Sequence, residues 1–271
     1  MTEETVRVGD QRIAYLSSSG TGRAVVFVHG NSASARTWRP LVEGPFGQRF
    51  RSLALDLPGH GDSAPAIDPA QYSLPGYAQV LTGFASALGA ADAVFVGWSL
   101  GGHIVLEVAP ALPQAAGFVI FGTPPVASAA QMGEAFFPNP AMNVGFSADV
   151  TPDDALAFAS SFTAPGSSLP LDDFTADILR TDGAARAGLI ASIGEGRFAD
   201  EIAVVTALRQ PLAIIHGADE QLVRLPYLRQ LSIPALWREQ VQVLPGAGHA
   251  AHLERTDEFA RLLTEFIADL G

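Results

Sequence analysis

Six short runs, apolar nearly throughout, limit most strongly what this chain can fold into: Ala24–Val28, Ser52–Leu57, Ala93–Trp98, Gly117–Phe121, Leu212–Ile215 and Val241–Leu244. They are rich in β-branched and aromatic residues and do not alternate with polar ones. That is the pattern of strands covered on both faces. Stretches with helical spacing lie between and after them. Tyr77, Val80, Leu81, Phe84 and Leu88 form one stripe, Ile104, Val105, Val108 and Leu112 a second, and Phe259, Leu262, Leu263, Phe266, Ile267 and Leu270 a third. Strands alternating with amphipathic helices predict an α/β fold, a mostly parallel central sheet flanked by helices. Thr5–Val8 and Arg12–Leu16 precede the first buried run and read as a pair of strands.

The alternation breaks over residues 124–205. This stretch opens with Pro124-Pro125 and carries Phe136, Phe137, Phe146, Phe158, Phe162 and Phe174 with Met132 and Met142. Its aromatics suit the core of a helical subdomain. A subdomain inserted after the sixth strand also lies where such sheets bind ligands, outside the carboxyl ends of the strands. The expected organisation is a core domain of residues 1–123 and 206–271 with a helical cap at 124–205.

Composition removes several chemistries. Among 271 residues there is no Cys, which excludes thiolate nucleophiles, disulfides and Cys-ligated metal. All 16 basic residues are Arg, so no lysine Schiff base or P-loop lysine exists. A net charge of −12 with no Arg-rich patch disfavours nucleic acid. No apolar stretch is long enough to span a membrane, and the acidic start Met1-Thr2-Glu3-Glu4 lacks the basic region of a signal peptide. The expected location is the cytoplasm.

Gly97-Trp98-Ser99-Leu100-Gly101 fits G-x-S-x-G, follows an apolar run and precedes a helical pattern. That context lifts a serine hydroxyl above the sheet edge on a strained turn, whereas the bare pattern is only a Gly-rich turn. A serine needs a base, and the base needs an orienting carboxylate. His249 follows Gly246-Ala247-Gly248, after the last apolar run and before the last helix, and is the candidate base. His29 and His60 lie in turns, His103 is on the helix begun by Ser99, and His216 ends a strand. His252 is expected near the mouth of the site. The acid falls on Asp219 or Glu220, which spacing alone does not separate. Two amide donors must face the developing oxyanion. Leu100 N–H supplies one and Asn31 N–H, in His29-Gly30-Asn31-Ser32, the other. The Asn31 side chain has a second reading, contact with a substrate carbonyl. Trp98 and four residues of the inserted stretch, Phe136, Phe137, Met142 and Phe146, are the candidate lining of an acyl pocket. Trp237 is a weaker candidate, and Trp38 reads as a helix anchor.

In order along the chain, His29-Gly30-Asn31, Asp56-Leu57-Pro58-Gly59-His60-Gly61-Asp62-Ser63, Gly97-Trp98-Ser99-Leu100-Gly101-Gly102, Gly217-Ala218-Asp219-Glu220 and Gly248-His249 resemble the markers of the α/β-hydrolase fold. In that family the acid usually stands three residues after the glycine of the late loop, so the resemblance implies Glu220. Serine at the elbow sets this chain apart from dehalogenases and epoxide hydrolases of the fold, which place Asp there. Gly97–Ile104, Phe121-Gly122-Thr123-Pro124-Pro125-Val126 and Arg180-Thr181-Asp182-Gly183 further resemble metal-independent, quorum-quenching N-acyl-homoserine lactonases. The resemblance implies a small ester or lactone substrate with an apolar acyl chain, and no cofactor. The tight pair His249 and His252 lacks the further ligands of a two-metal lactonase, so no metal is expected. Two rival readings remain. A carboxylesterase or carbon–carbon hydrolase shares the triad, the latter binding its charged substrate through arginines such as Arg180, Arg186 or Arg197. A small-ligand sensor on a hydrolase scaffold is the other.

Overall fold

In a computed structural model describing residues 1–271, eight strands form one sheet in the order β1-β2-β4-β3-β5-β6-β7-β8. They are β1 (Thr2–Val8), β2 (Gln11–Ser17), β3 (Gly22–Val28), β4 (Phe50–Leu55), β5 (Val94–Trp98), β6 (Gly117–Phe121), β7 (Leu212–Gly217) and β8 (Gln242–Leu244). β1 and β2 form an antiparallel hairpin, and β2 lies antiparallel on β4. From β4 to β8 every pair is parallel. The six apolar runs supply these parallel strands. Every residue of β5 and β6 is buried, because helices cover both faces and successive side chains point to opposite ones.

The helix Leu74–Ala87 starts where the Ser73 hydroxyl accepts the Gly76 N–H at 3.2 Å, with Pro75 in its first turn. The C-terminal helix Thr256–Asp269 buries Phe259, Leu262, Leu263, Phe266 and Ile267, the stripe expected from spacing. Each such side chain contributes about 1.5–3 kcal/mol on leaving water. The helix after β5, Leu100–Val108, stops short of Leu112. Pro110 follows, lacks an N–H and clashes with a continuing helix, and Ala109–Ala111 tightens into a 3₁₀ turn.

β3 lies between β4 and β5, so the chain leaves β3 first to one side and then to the other. Loops at such a switch point diverge and leave a crevice at the strand ends. The loops after β3 and β5 carry Asn31 and Ser99.

Residues 124–205 add no strand to the sheet. Their principal helices are Pro152–Ser160, Asp172–Arg180, Gly183–Gly194 and Glu201–Ala207. A reciprocal capping box joins Thr151 and Asp154 at the start of the first. Arg186, 3 % exposed, ties the segment internally. It donates to the carbonyls of Ser147 (2.6 Å), Ile178 (3.0 Å) and Ala148 (3.1 Å). Polar links fasten the segment to the rest of the molecule. Buried Asp177 accepts from Ser34 Oγ at 2.6 Å and pairs with Arg36. Tyr72 Oη donates to Asp182 at 2.6 Å. His103 meets Glu201 at 2.7 Å, and the same carboxylate accepts the Val126 N–H at 2.9 Å. No helix is long and apolar enough to cross a membrane.

Candidate active site

Ser99 stands between β5 and its helix with φ 53° and ψ −117°, a conformation L-residues rarely adopt. Such strain costs about 1–3 kcal/mol and persists only where neighbours over-determine it. Here they do. Ser99 N–H donates to Phe121 O at 2.9 Å, and its carbonyl accepts from Gly102 N–H at 2.8 Å and Thr123 Oγ1 at 2.8 Å. The crossing of strand and helix leaves no room for a side chain. A Cβ on Gly101 would lie 2.2 Å from the Val28 carbonyl oxygen.

His249 is 1 % exposed, and its Nδ1 lies 3.0 Å from Glu220 Oε2 and 3.1 Å from Oε1. Glu220 also accepts the Leu222 N–H at 2.8 Å. Burial opposes ionisation of this carboxyl, but the adjacent imidazole and these hydrogen bonds win and hold it below the usual carboxylate range. Asp219, the rival, is exposed, and only its backbone engages the site loop, donating to Ala247 O at 2.9 Å. With Nδ1–H donating to the carboxylate, Nε2 is the basic nitrogen, and it makes no hydrogen bond within the protein. The imidazole packs on Gly122, whose φ is +60° and whose Cβ would stand 2.6 Å from the ring. Both the conformation and the space require glycine there. Trp98 Nε1 donates to His249 O at 2.9 Å.

The N–H of Asn31 makes no hydrogen bond within the protein, and that of Leu100 opens a helix, where no intrahelical acceptor exists. The Asn31 side chain is committed elsewhere. Its Nδ2 donates to Gly145 O at 2.6 Å and its Oδ1 accepts from Ser32 Oγ at 3.0 Å. It is thus a strut between the β3 loop and the inserted segment, not a free group awaiting a substrate carbonyl.

Ser99 and His249 share a cavity of about 50 Å³ with Gly30, Asn31, Trp98, Phe136, Met142, Phe146, Phe158, Phe162 and Leu222. No lining side chain carries a fixed charge. Phe137 departs from expectation. It is 37 % exposed, and its ring lies under the Arg224 guanidinium at 4.6 Å. Phe136 and Phe137 are consecutive in extended backbone beside Val223, so they face opposite ways. Phe158 and Phe162, which the sequence offers only as aromatics of the inserted subdomain's core, and Leu222, which it does not offer, also line the cavity. The four-residue spacing of the two phenylalanines was a usable signal; Leu222 offered none. Trp237 is also away from the cavity, packed on Phe266 at 5.5 Å and bonded to Asp269.

The remaining histidines do other things. His252 is not at the mouth but in the core, 1 % exposed and ringed by Trp38, Trp98 and Phe121 at 4.5–5.1 Å. Burial, reinforced by His249, pushes it down to about 3. His29 shapes the β3 loop, accepting the Leu57 N–H at 3.0 Å and donating to Gly30 O at 2.7 Å. No group of three or more His, Cys, Asp or Glu comes together as a metal-ligand set.

A mostly parallel eight-stranded sheet, with a serine raised at its switch point, defines the class, and the chain belongs to the alpha/beta hydrolase family, whose profile matches residues 25–262. Within it the chain is similar to the N-acyl homoserine lactonase AidH. A variant of that protein complexed with N-hexanoyl homoserine lactone superposes with a TM-score of 0.95 at 35% identity, over 100% of this chain and 98% of that one. AidH complexed with N-butanoyl homoserine also gives a TM-score of 0.95 at 35% identity, over 100% and 97% of the two chains. A pimeloyl-[acyl-carrier protein] methyl ester esterase of Xylella fastidiosa is 35% identical over 111 residues, 41% of this chain and 40% of that relative's length.

Proposed function

We propose that this protein is a serine hydrolase that opens the ring of N-acyl-homoserine lactones through an acyl-enzyme. The carrying observation is an uncharged cavity lined by Ser99 and by His249, which Glu220 backs from behind, in a chain similar over its full length to a lactonase that binds such ligands. Ser99 Oγ attacks the ring carbonyl as His249 Nε2 takes its proton. The oxyanion is held by the N–H groups of Asn31 and Leu100. The ring C–O bond breaks, and His249 returns the proton to the departing alkoxide, which stays tethered to the acyl part. His249 then draws a proton from water, whose oxygen attacks the Ser99 ester; the acyl C–Oγ bond breaks, His249 returns that proton to Ser99 Oγ, and the acyl-homoserine leaves as its acid, which ionises to the carboxylate. Glu220 holds the imidazole in the tautomer that these steps need. Residues 124–205 act as a cap whose Phe136, Met142, Phe146, Phe158 and Phe162 take the acyl chain. In this reading the enzyme destroys a quorum signal in the cytoplasm.

A carbon–carbon hydrolase of anionic substrates is less well supported. Arg180 pairs with Asp62, Arg197 pairs with Glu195, and Arg186 is committed to three backbone carbonyls and the Ser32 hydroxyl. None of the three lines the cavity. The 124–205 segment holds eleven Asp and Glu against three Arg, a field that opposes anionic substrates and favours departure of a carboxylate product.

The test is incubation with N-hexanoyl homoserine lactone, following the gain of one water by mass spectrometry. Ring opening that survives a chelator and is lost in Ser99→Ala supports the proposal. Cleavage of p-nitrophenyl butyrate without lactone opening makes it a general esterase, and no turnover of either leaves the sensor reading.

A further inference from the structure

Glu254 does not line the cavity, yet its carboxylate joins two segments that do. Its Oε2 accepts the Gly248 N–H at 2.6 Å, and its two oxygens accept the Ala164 N–H at 3.0 and 3.1 Å. These amides are its only hydrogen-bond partners, and it forms no ion pair; the neighbouring Arg255 donates instead to Pro245 O at 3.0 Å. Gly248 immediately precedes His249. Ala164 is two residues beyond Phe162, whose ring stacks on His249 at 5.9 Å and whose carbonyl accepts the Ala250 N–H at 2.6 Å. The two backbones touch, since a Cβ on Gly248 would lie 2.5 Å from Ala164 N. Two glycines, Gly246 and Gly248, flank this loop and give it little stiffness of its own.

The His249 peptide is thereby held from three sides, by the Trp98 indole on its carbonyl, by Phe162 O on the next amide, and by Glu254 on the preceding one. Of these, the Glu254 bonds alone are charge-assisted, and they alone span loop and inserted segment through one side chain. We propose that Glu254 is a positioning residue. It fixes the His249 loop against the Phe162–Ala164 segment and so holds the imidazole in place beside the cavity that it shares with Ser99. The inference rests on His249 being the base of the proposed hydrolase. Misplacement of a reacting group by about 1 Å costs on the order of 10²-fold in rate. The loss of Glu254 should therefore fall on the chemical step and not on substrate binding.

The experiment compares wild type, Glu254→Ala, Glu254→Gln and Glu254→Asp on p-nitrophenyl butyrate, with thermal midpoint and near-ultraviolet circular dichroism as folding controls. Glu254→Ala should lower kcat roughly 10- to 100-fold with KM within about twofold. Glu254→Gln keeps one acceptor oxygen where both amides point and should restore kcat to within about threefold of wild type. Glu254→Asp keeps the charge but not the reach, and should resemble Ala; it also serves if Ala fails to fold. Wild-type kcat in Glu254→Asp, or a Gln variant as impaired as Ala, overturns the proposal. A readout free of turnover separates this inference from the activity it rests on. In NMR spectra of ring-labelled protein, the His249 imidazole should be a single sharp set in wild type and broadened or multiple in Glu254→Asp. An unchanged His249 signal overturns the positioning role, whereas a wild type that cleaves no ester overturns the hydrolase reading instead.

Discussion

Two adjacent carboxylates, Asp219 and Glu220, meet opposite fates within one turn. Asp219 sends its N–H to Ala247 O and its side chain to solvent, while Glu220 turns inward, 2 % exposed at its side chain, onto His249. Glu220→Gln keeps the volume but replaces the charge with a neutral amide that no longer fixes the tautomer or steadies the imidazolium. We expect kcat on p-nitrophenyl butyrate to fall roughly 10³- to 10⁴-fold with the fold intact, as seen when a triad acid is neutralised. An Asp219→Asn variant, losing only an exposed charge, should stay within about threefold of wild type. Steady-state kinetics of the two variants decide between the carboxylates; the reverse order would reassign the acid.

At the scale of elements, the inserted segment is braced by polar side chains as well as by its aromatics. Arg186, on the helix Gly183–Gly194, serves carbonyls from the Ser147–Ala148 turn and from the helix Asp172–Arg180. Arg186→Met keeps the apolar stem and leaves three acceptors without that donor. A buried acceptor without a partner costs about 1–3 kcal/mol, and partial hydration of the turn reduces the sum, so we expect a loss of about 2–4 kcal/mol. For a chain of this size that is a fall of roughly 4–7 °C in thermal midpoint by calorimetry. A midpoint unchanged within error would show that the helices hold by apolar packing alone. The same segment shows the limit of helical periodicity. The stripe in Thr256–Asp269 is a surface helix with one buried face and is readable, whereas Phe158 and Phe162 serve helix packing and cavity lining at once.

For the molecule as a whole, buried neutral histidines lead the response to acid, three of them strongly shifted. Burial lowers His29 to about 3, His60 to about 4 and His252 to about 3. The unfolded chain takes up these protons near pH 6.5, whereas the folded chain resists until far lower. Between those values the unfolded state binds more protons, so stability falls as pH falls. Each such group contributes about 1.4 kcal/mol per pH unit below the unfolded value. Asp56 acts in the other direction. Burial raises it to about 6 against its bonds from Ala35 and Asp62 N–H, so its protonation between pH 6 and 4 favours the fold. Burial likewise lowers His216 and raises Glu107 and Asp177, so four histidines oppose three carboxyls. The histidines begin to act near pH 6.5, above the carboxyls, and the thermal midpoint should drop from pH 7 to 5. His252→Phe suits a site ringed by Trp38, Trp98 and Phe121, and should visibly shallow that slope. A slope identical to wild type would mean that His252 takes up no proton differentially.

What was legible in the sequence is what local backbone requirements write into it. Buried parallel strands demand unbroken apolar runs, an elbow demands small residues around a serine, and an ordered set of turns places Asn31, Ser99 and His249 at the strand ends before any contact is known. The choice between Asp219 and Glu220 needed the family resemblance, because both sit on the same turn. Other features arise only when distant segments pack. Asn31 bonds to Gly145, 114 positions away, and Glu254 to Ala164, 90 positions away. Phe137 turns out to Arg224 because its strand-like neighbour Phe136 takes the cavity, and His252 goes to the core because its own short helix, Ala251–Glu254, faces Trp38. Side-chain direction across such contacts is set by which surfaces meet, and composition and spacing along one segment carry no record of the surface opposite.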